Sequence, residues 1–344
     1  MRRSPDLRVC LELRPGREDT LGTHNPGGGI DSMRLRLALL VYLLACCLSS
    51  LTAQQRGQYM PGQYGLNAGI LPSPGFTYVD MNVNYNSTRL NGPNGSATPV
   101  NGSYNVLAIE NIFYYVPSFK VAGGNLGFMI AFPTLANGDL AIPTYGANAG
   151  GYGLADTWLQ PFTIGWHLKR ADVTVADALW IPTGRYTPGA STNIGYGYFG
   201  NHFTTGSTFY ITKNKGTSAN LFTDWEVHSN KNGTNVTPGQ AFSDEWGVGQ
   251  VLPLRKNFSQ LLQVGGVGYD QWQVTANSGL DKNAPFYSVH AAGLQVNYIL
   301  PPKNFSVFFK YYWQYKAYST SLGNTLTVGF AWTLPDPKPT PPKP

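Results

Sequence analysis

The clearest hydrophobic pattern lies near the C-terminal end, in two segments that alternate with a period of two. In Asn304–Lys316 the positions Phe305, Val307, Phe309, Tyr311, Trp313 and Tyr315 alternate with Ser306, Phe308, Lys310, Tyr312, Gln314 and Lys316. In Leu322–Leu334, Leu326, Val328, Phe330, Trp332 and Leu334 alternate with Thr325, Thr327, Gly329, Ala331 and Thr333. Such alternation is the signature of a strand with one apolar face. The apolar face is strongly aromatic and the opposite face is polar or small. That combination suits a membrane β-barrel, which presents aromatic girdles to lipid and polar residues to its interior.

The same period recurs upstream. It predicts strands over 76–86, 104–116, 125–134, 157–168, 171–181, 206–213, 219–229, 240–252, 260–272 and 286–300. With the C-terminal pair this gives an all-β chain, a transmembrane antiparallel up-and-down β-barrel of about 12 strands (range 10–14). Tight connections, as at Lys169-Arg170, alternate with long ones over 136–153, 182–205 and 273–285. Short periplasmic turns and long outer loops produce that rhythm. No fixed-period repeat points to a propeller or solenoid.

The flanking segments divide the chain further. Residues 1–53 read as a mis-called N-terminal extension followed by a signal peptide over 33–53. Arg34 and Arg36 precede the apolar run 37–48, and Ala53 is a suitable last residue. A rival reading makes Cys46 a lipid-anchor site. Residues 54–75 form a Gly/Pro-rich leader that either hangs free or tucks into the lumen. Residues 76–334 are the outer-membrane barrel, and the Pro-rich tail 335–344 cannot join a sheet.

Composition supports this division. Of 344 residues, 42% are hydrophobic, 13% aromatic and only 12% charged, which is unusual for a soluble enzyme. Setting aside the seven arginines and five acids before residue 54 takes the net charge from +6 to +4, and no basic run suggests a nucleic-acid partner. Cys10, Cys46 and Cys47 all precede the barrel, so neither a disulfide scaffold nor a cysteine metal site is expected in it. No nucleophile elbow, metalloprotease helix or phosphate loop is present, and no cofactor or metal is expected.

Alternation also assigns faces. Charge on the lipid side is unfavourable, so polar members of each strand are expected inside. Candidate lumen-lining residues are Asp80, Asn82, Glu110, His167, Asp224, Glu226, His228, Glu245, Lys310, Tyr312, Gln314 and Lys316. The densest polar group is Asp224, Glu226 and His228 on one strand, read either as an ion-pair network stiffening the wall or as a lining that orients cargo. Trp158, Phe162, Trp166, Trp225, Phe309, Tyr311 and Trp313 are expected to face lipid, and Tyr78, Phe222, Phe308 and Tyr312 to face inward. In the last strand, Thr327, Gly329, Trp332 and Leu334 follow the pattern by which barrels are handed to their insertion machinery, although the strand ends in Leu and a tail follows it.

Residues 151–198 carry a more specific pattern: Gly153 and Asp156, Pro161, Gly165-Trp166, Pro182-Thr183-Gly184-Arg185-Tyr186, then Asn193 to Tyr198. These pieces resemble the phenol meta-degradation family of outer-membrane proteins, with Ala155 where the family pattern has a second glycine. Weaker likeness extends over 71–334. The resemblance implies an outer-membrane barrel that passes small hydrophobic or aromatic molecules; the partners expected are outer-membrane lipid, the insertion machinery through the last strand, and a small hydrophobic ligand. It brings no catalytic residues. Alternatives from other classes are a structural or interaction barrel without transport, an outer-membrane enzyme acting on lipid, and a secreted soluble β-sandwich.

Overall fold

A computed structural model describes residues 57–98, 103–142 and 147–336. The signal segment, Cys46 and the tail beyond residue 336 lie outside the described residues. The described residues form fourteen strands: β1 (Gly75–Leu90), β2 (Ser103–Val116), β3 (Lys120–Val121), β4 (Gly124–Ile142), β5 (Ala147–Gly153), β6 (Thr157–His167), β7 (Ala171–Ile181), β8 (Gly200–Tyr210), β9 (Thr217–His228), β10 (Ala241–Pro253), β11 (Leu261–Gln273), β12 (Ser288–Leu300), β13 (Phe305–Tyr318) and β14 (Ser321–Pro335). Twelve of them form a closed antiparallel ring, β1-β2-β4 and then β6 through β14, which returns to β1. β3 and β5 are short hairpin partners of β4. Closure satisfies every strand on both sides, which a bilayer demands because lipid offers no hydrogen-bond partner.

The strands start and stop close to where the alternation places them, with two differences. β8 begins at Gly200 rather than near residue 206, so His202 and Thr204 belong to the wall. The stretch 136–153 is a hairpin continuing β4 into β5, not an irregular loop. Both chain ends of the ring meet at one mouth, where Gly75 pairs with Pro335. The connections at that mouth are short, and those at the other are long except for the two-residue turn between β13 and β14. In outer-membrane barrels the short-turn end faces the periplasm.

The outer wall is mostly apolar. Phe203, Leu221, Trp225, Val227, Trp246, Val248, Leu294, Phe309, Tyr311, Trp313, Val328 and Trp332 are all exposed on it. The inner face carries Thr204, Asp224, Glu226, Ser243, Glu245, Gln271, Gln295, Lys310 and Thr327, all buried.

Several faces are the reverse of what alternation predicts. On β1 the buried positions are Thr77, Met81, Val83 and Tyr85, so Asp80 and Asn82 face outward, and Tyr78 faces outward beside them. The rule that polar residues point inward fails here because the inner wall at β1 is apolar. Lys316 is exposed on the outside. An extra residue, Tyr315, stands between the pairs His290↔Lys316 and Ala291↔Gln314, and this bulge flips the alternation beyond Gln314. Trp158 is buried inside rather than facing lipid, because a second bulge between Leu159 and Phe162 inverts the phase of β6 at Pro161. Proline cannot donate to the ladder, so the bulge falls where it does least harm.

Residues 57–74 run inside the ring. They pass from Gly57, beside Glu226 at the long-loop mouth, to Gly75 at the terminal mouth. Gln58, Tyr59, Leu66, Ala68 and Leu71 are buried there. The passage is narrow: a Cβ on Gly206 would sit 2.1 Å from the Ala68 carbonyl oxygen, and one on Gly165 would sit 3.0 Å from Leu71 Cβ. Bare backbone on the wall is what lets this interior segment fit.

Candidate functional site: a lumenal cavity, a docked leader and a clasped loop

The interior segment is held by one turn. At residues 62–65, with Gly62 (φ 102°) and Gly65 (φ 59°) in the left-handed region, four successive N–H groups converge. Gly62 and Gln63 donate to Glu245 Oε1 at 2.8 and 3.0 Å, and Tyr64 and Gly65 donate to Oε2 at 2.9 Å each. The Tyr59 hydroxyl donates to the same carboxylate. On the other side Lys310 Nζ donates to the Gly62 and Gln63 carbonyls. A carboxylate on β10 thus reads the positive ends of these peptide dipoles and an ammonium on β13 reads the negative ends, an anion nest closed by a cation.

Further ties run to the same half of the wall. Gln58 N donates to Glu226 at 2.6 Å, Leu66 N to Gln295 at 2.9 Å, Asn67 N to Asn220 at 3.0 Å and Gly69 N to Thr208 at 3.1 Å. Tyr64 stacks on Phe222 with ring centres 3.9 Å apart. The segment therefore hugs β8 to β13. A bridge between the Tyr64 and Tyr114 hydroxyls crosses to β2.

Between the segment and the opposite wall lies a cavity of about 330 Å³. Its lining runs from Asp156, Trp158 and Trp180 at the long-loop end to Ile299, Ser306 and Ala331 at the terminal end. Met81, Ile112, Tyr114 and Met129 form its apolar middle, and Glu110 and Lys310 add ionisable groups beside Asp156. This explains the inverted face of β1, since Val79 and Met81 are cavity wall.

The long-loop end is closed by residues 182–199, and the family-like motif builds the closure. Asp156, buried, accepts from Tyr196 N at 2.7 Å, Gly184 N at 2.8 Å and Trp180 Nε1 at 3.2 Å. Gly184 and Gly195 must be glycine, because a Cβ on either would fall 2.8 or 2.6 Å from Asp156 Oδ1. Thr183 pairs with Thr157 at 2.9 Å, and the Tyr186 ring lies on Gly197. Pro161 sits in the β6 bulge, and Trp166 Nε1 donates to Ala122 O at 3.1 Å. The Cβ position of Gly153 is open, so no packing reason fixes it as glycine, though its φ of 152° favours one. Asp156, Gly165 and Gly184 thus position the loop and the leader, and none is placed for bond chemistry. Trp158, Trp180, Tyr196 and Tyr198 continue the clasp as a chain of rings, with Trp158 4.7 Å from His202 and Tyr198 5.2 Å from His228.

Burial pushes the Asp156 carboxyl above the ordinary carboxylate range, and the donors from Tyr196, Gly184 and Trp180 offset this only in part. The closed loop therefore holds that proton more tightly than the open one. Closure strengthens as pH falls from the raised native value toward about 3.8 and weakens as pH rises through it. A spin label at Ala190→Cys should become less mobile across that acidic window, and Asp156→Asn should abolish the response.

Of the residues picked out by alternation, Asp224, Glu226 and His228 do gather inside, at the long-loop mouth. His202 Nδ1 lies 3.0 Å from Asp224, and His228 Nε2 lies 3.1 Å from Glu226. These carboxylate–imidazole hydrogen bonds line the mouth, and Glu226 also anchors the leader through Gln58 N. Glu110, Glu245, Lys310, Tyr312 and Gln314 are buried inside. His167 stands exposed at the terminal mouth, 2.9 Å from Asp172. Asp80, Asn82 and Lys316 are elsewhere, on the outer wall. The leader residues and Trp180, Tyr196, Tyr198 and His202 escaped the alternation analysis because they sit in irregular segments or near strand ends.

The closed twelve-strand ring, with an apolar band outside and a polar, partly filled lumen, defines an outer-membrane β-barrel with a channel-type fold. Comparison agrees. The family profile described as "Putative MetA-pathway of phenol degradation" matches residues 87–330, and the chain belongs to that family. The fold resembles the COG4313 outer membrane channel from Pseudomonas putida F1, with a TM-score of 0.62 at 11% identity, over 80% of this chain and 100% of that one. The β domain of the Bordetella autotransporter BrkA is more distant, with a TM-score of 0.47 at 10% identity over 76% of this chain and 100% of that one. No curated protein matches in sequence.

Proposed function

We propose that this protein is a passive outer-membrane channel for small hydrophobic, chiefly aromatic compounds. The observation that carries the reading is the cavity itself. It extends between the two mouths along the docked leader and is walled by Trp158, Trp180, Tyr114, Met81 and Met129. A one-ring compound burying on the order of 150 Å² there gains about 4 kcal/mol, which corresponds to millimolar affinity. Conduction needs binding of that order, favourable enough to enter and weak enough to leave. The family's description and the Pseudomonas putida channel support the same reading.

The filled lumen favours a second reading, a structural barrel without transport, and one measurement separates them. Uptake of labelled single-ring aromatics by a deletion strain should recover when the wild-type chain is supplied. Ala131→Trp, which fills the cavity from β4, should cut that recovery to the level of the empty strain, whereas Val248→Trp on the outer wall should not. Equal uptake by all strains would overturn the transport reading.

A further inference from the structure

Outward polar side chains elsewhere, such as Asp177, Asn201, Asp244, Asp270 and His290, sit toward the long-loop ends of their strands, whereas β1 carries a polar stripe that runs through mid-height. Its outward positions in sequence are Phe76, Tyr78, Asp80, Asn82, Asn84 and Asn86. Directly opposite residues share a face, so this stripe is continued by Asn111 and Asn105 on β2 and Asn324 on β14. Its flanks are apolar: Ile109 and Leu107 on one side, Phe330, Val328 and Leu326 on the other. Phe76, Tyr115, Trp332 and Leu334 ring the terminal end below it, so Asp80 to Asn84 lie at mid-height, where hydrocarbon would otherwise touch them.

Hydrocarbon offers no partner to an amide or a carboxylate. The stripe meets part of the need internally. Asn82 Nδ2 donates to Asp80 at 2.5 Å, and Asn86 Nδ2 donates to Asn84. Asn82 Oδ1 and Asn84 Nδ2 have no partner among the described residues, one an acceptor and the other a donor. Whatever covers them must reach the membrane interior and offer both donors and acceptors.

We propose that this stripe is the seam of a homodimer, covered by β1 of a second copy of this chain. An amide is donor and acceptor at once, so a row of asparagines is complementary to itself. Two copies inserted in the same direction are related by a twofold axis along the membrane normal. That axis sets each asparagine against its counterpart at equal depth, as an isologous contact requires. Leu107, Ile109, Leu326 and Val328 then close over the amides and exclude lipid. The stripe lies behind the cavity wall formed by Val79 and Met81.

Cysteine crosslinking in outer-membrane fractions tests this. Asn84→Cys should form a disulfide-linked dimer on mild oxidation, while Val248→Cys on the outer wall of β10 should not. Separately, Asn82→Leu with Asn84→Leu should leave a heat-modifiable barrel that shifts from dimer to monomer in detergent, since leucine is at home against lipid. The proposal is overturned if Asn84→Cys stays monomeric, if it links no better than Val248→Cys, if it links to a different protein, or if the leucine variant remains a dimer. None of these outcomes depends on the transported compound.

Discussion

Glu245→Ala releases the leader and opens the lumen. In planar bilayers the variant should conduct far more than the wild-type barrel, and amides 59–67 should lose their protection from hydrogen exchange. The reason is concentration of function in one side chain. Glu245 accepts four backbone N–H groups at 2.8–3.0 Å and the Tyr59 hydroxyl, all away from bulk water. Removing it orphans those donors and leaves the buried Lys310 ammonium, bound to the Gly62 and Gln63 carbonyls, without the opposite charge across the turn. Deleting one partner of a buried ionic arrangement costs about 3–5 kcal/mol, a factor of roughly 10²–10⁴ in the docking equilibrium. Glu245→Gln should fall between, since an amide keeps one acceptor and turns its other end into a competing donor. The barrel itself should survive, because no strand pairing depends on this carboxylate. Unchanged conductance together with unchanged protection of 59–67 would show that the leader is held some other way.

The second large effect belongs to Asp156. Asp156→Ala should free the loop 182–199 from the long-loop mouth, and trypsin should then cut after Arg185 faster than in the wild type. Arg185 is at present tied to Thr192 O at 2.8 Å within the folded loop. Losing the carboxylate strands the N–H groups of Gly184, Tyr196 and Trp180, each at about 1–3 kcal/mol if it stays buried. The loop escapes that penalty by lifting into water. Gly184 and Gly195, shaped to fit the carboxylate, then have nothing to pack on. Cutting after Arg185 no faster than in the wild type would mean that the ring contacts of Trp180, Tyr196 and Tyr198 close the mouth unaided. Releasing either the leader or the loop should ease passage through the cavity by a different route, so the double variant should exceed both.

The strands were legible because a wall one residue thick must alternate. The aromatic stripe of β13 and β14, with Phe309, Tyr311, Trp313, Val328 and Trp332 on the outside, follows directly from that. So do the inward placements of Asp224, Glu226, Glu245 and Lys310. Alternation misleads where its phase breaks. Lys316 lies beyond the bulge at Tyr315, and Trp158 lies before the bulge at Pro161, so each falls on the face opposite to a straight extrapolation. Of the two, only the second carries a mark in the sequence, the proline. β1 misleads for another reason. Polar residues face out there because the wall behind them lines an apolar cavity, and nothing local in the strand distinguishes that from the ordinary arrangement.

The sequence by itself determined the secondary structure, the closed antiparallel barrel and the family, because period-two patterning and a few fixed glycines and prolines act locally. It also marked Asp156, Gly184 and Tyr186 as belonging together through the motif they share. Only the tertiary structure decided what the lumen contains. The leader has no periodicity, and its partner Glu245 is more than 180 residues away in the chain. Its place is set by a carboxylate on β10 and an ammonium on β13, three strands apart in the ring, that meet the same turn. That convergence exists only after the barrel has closed.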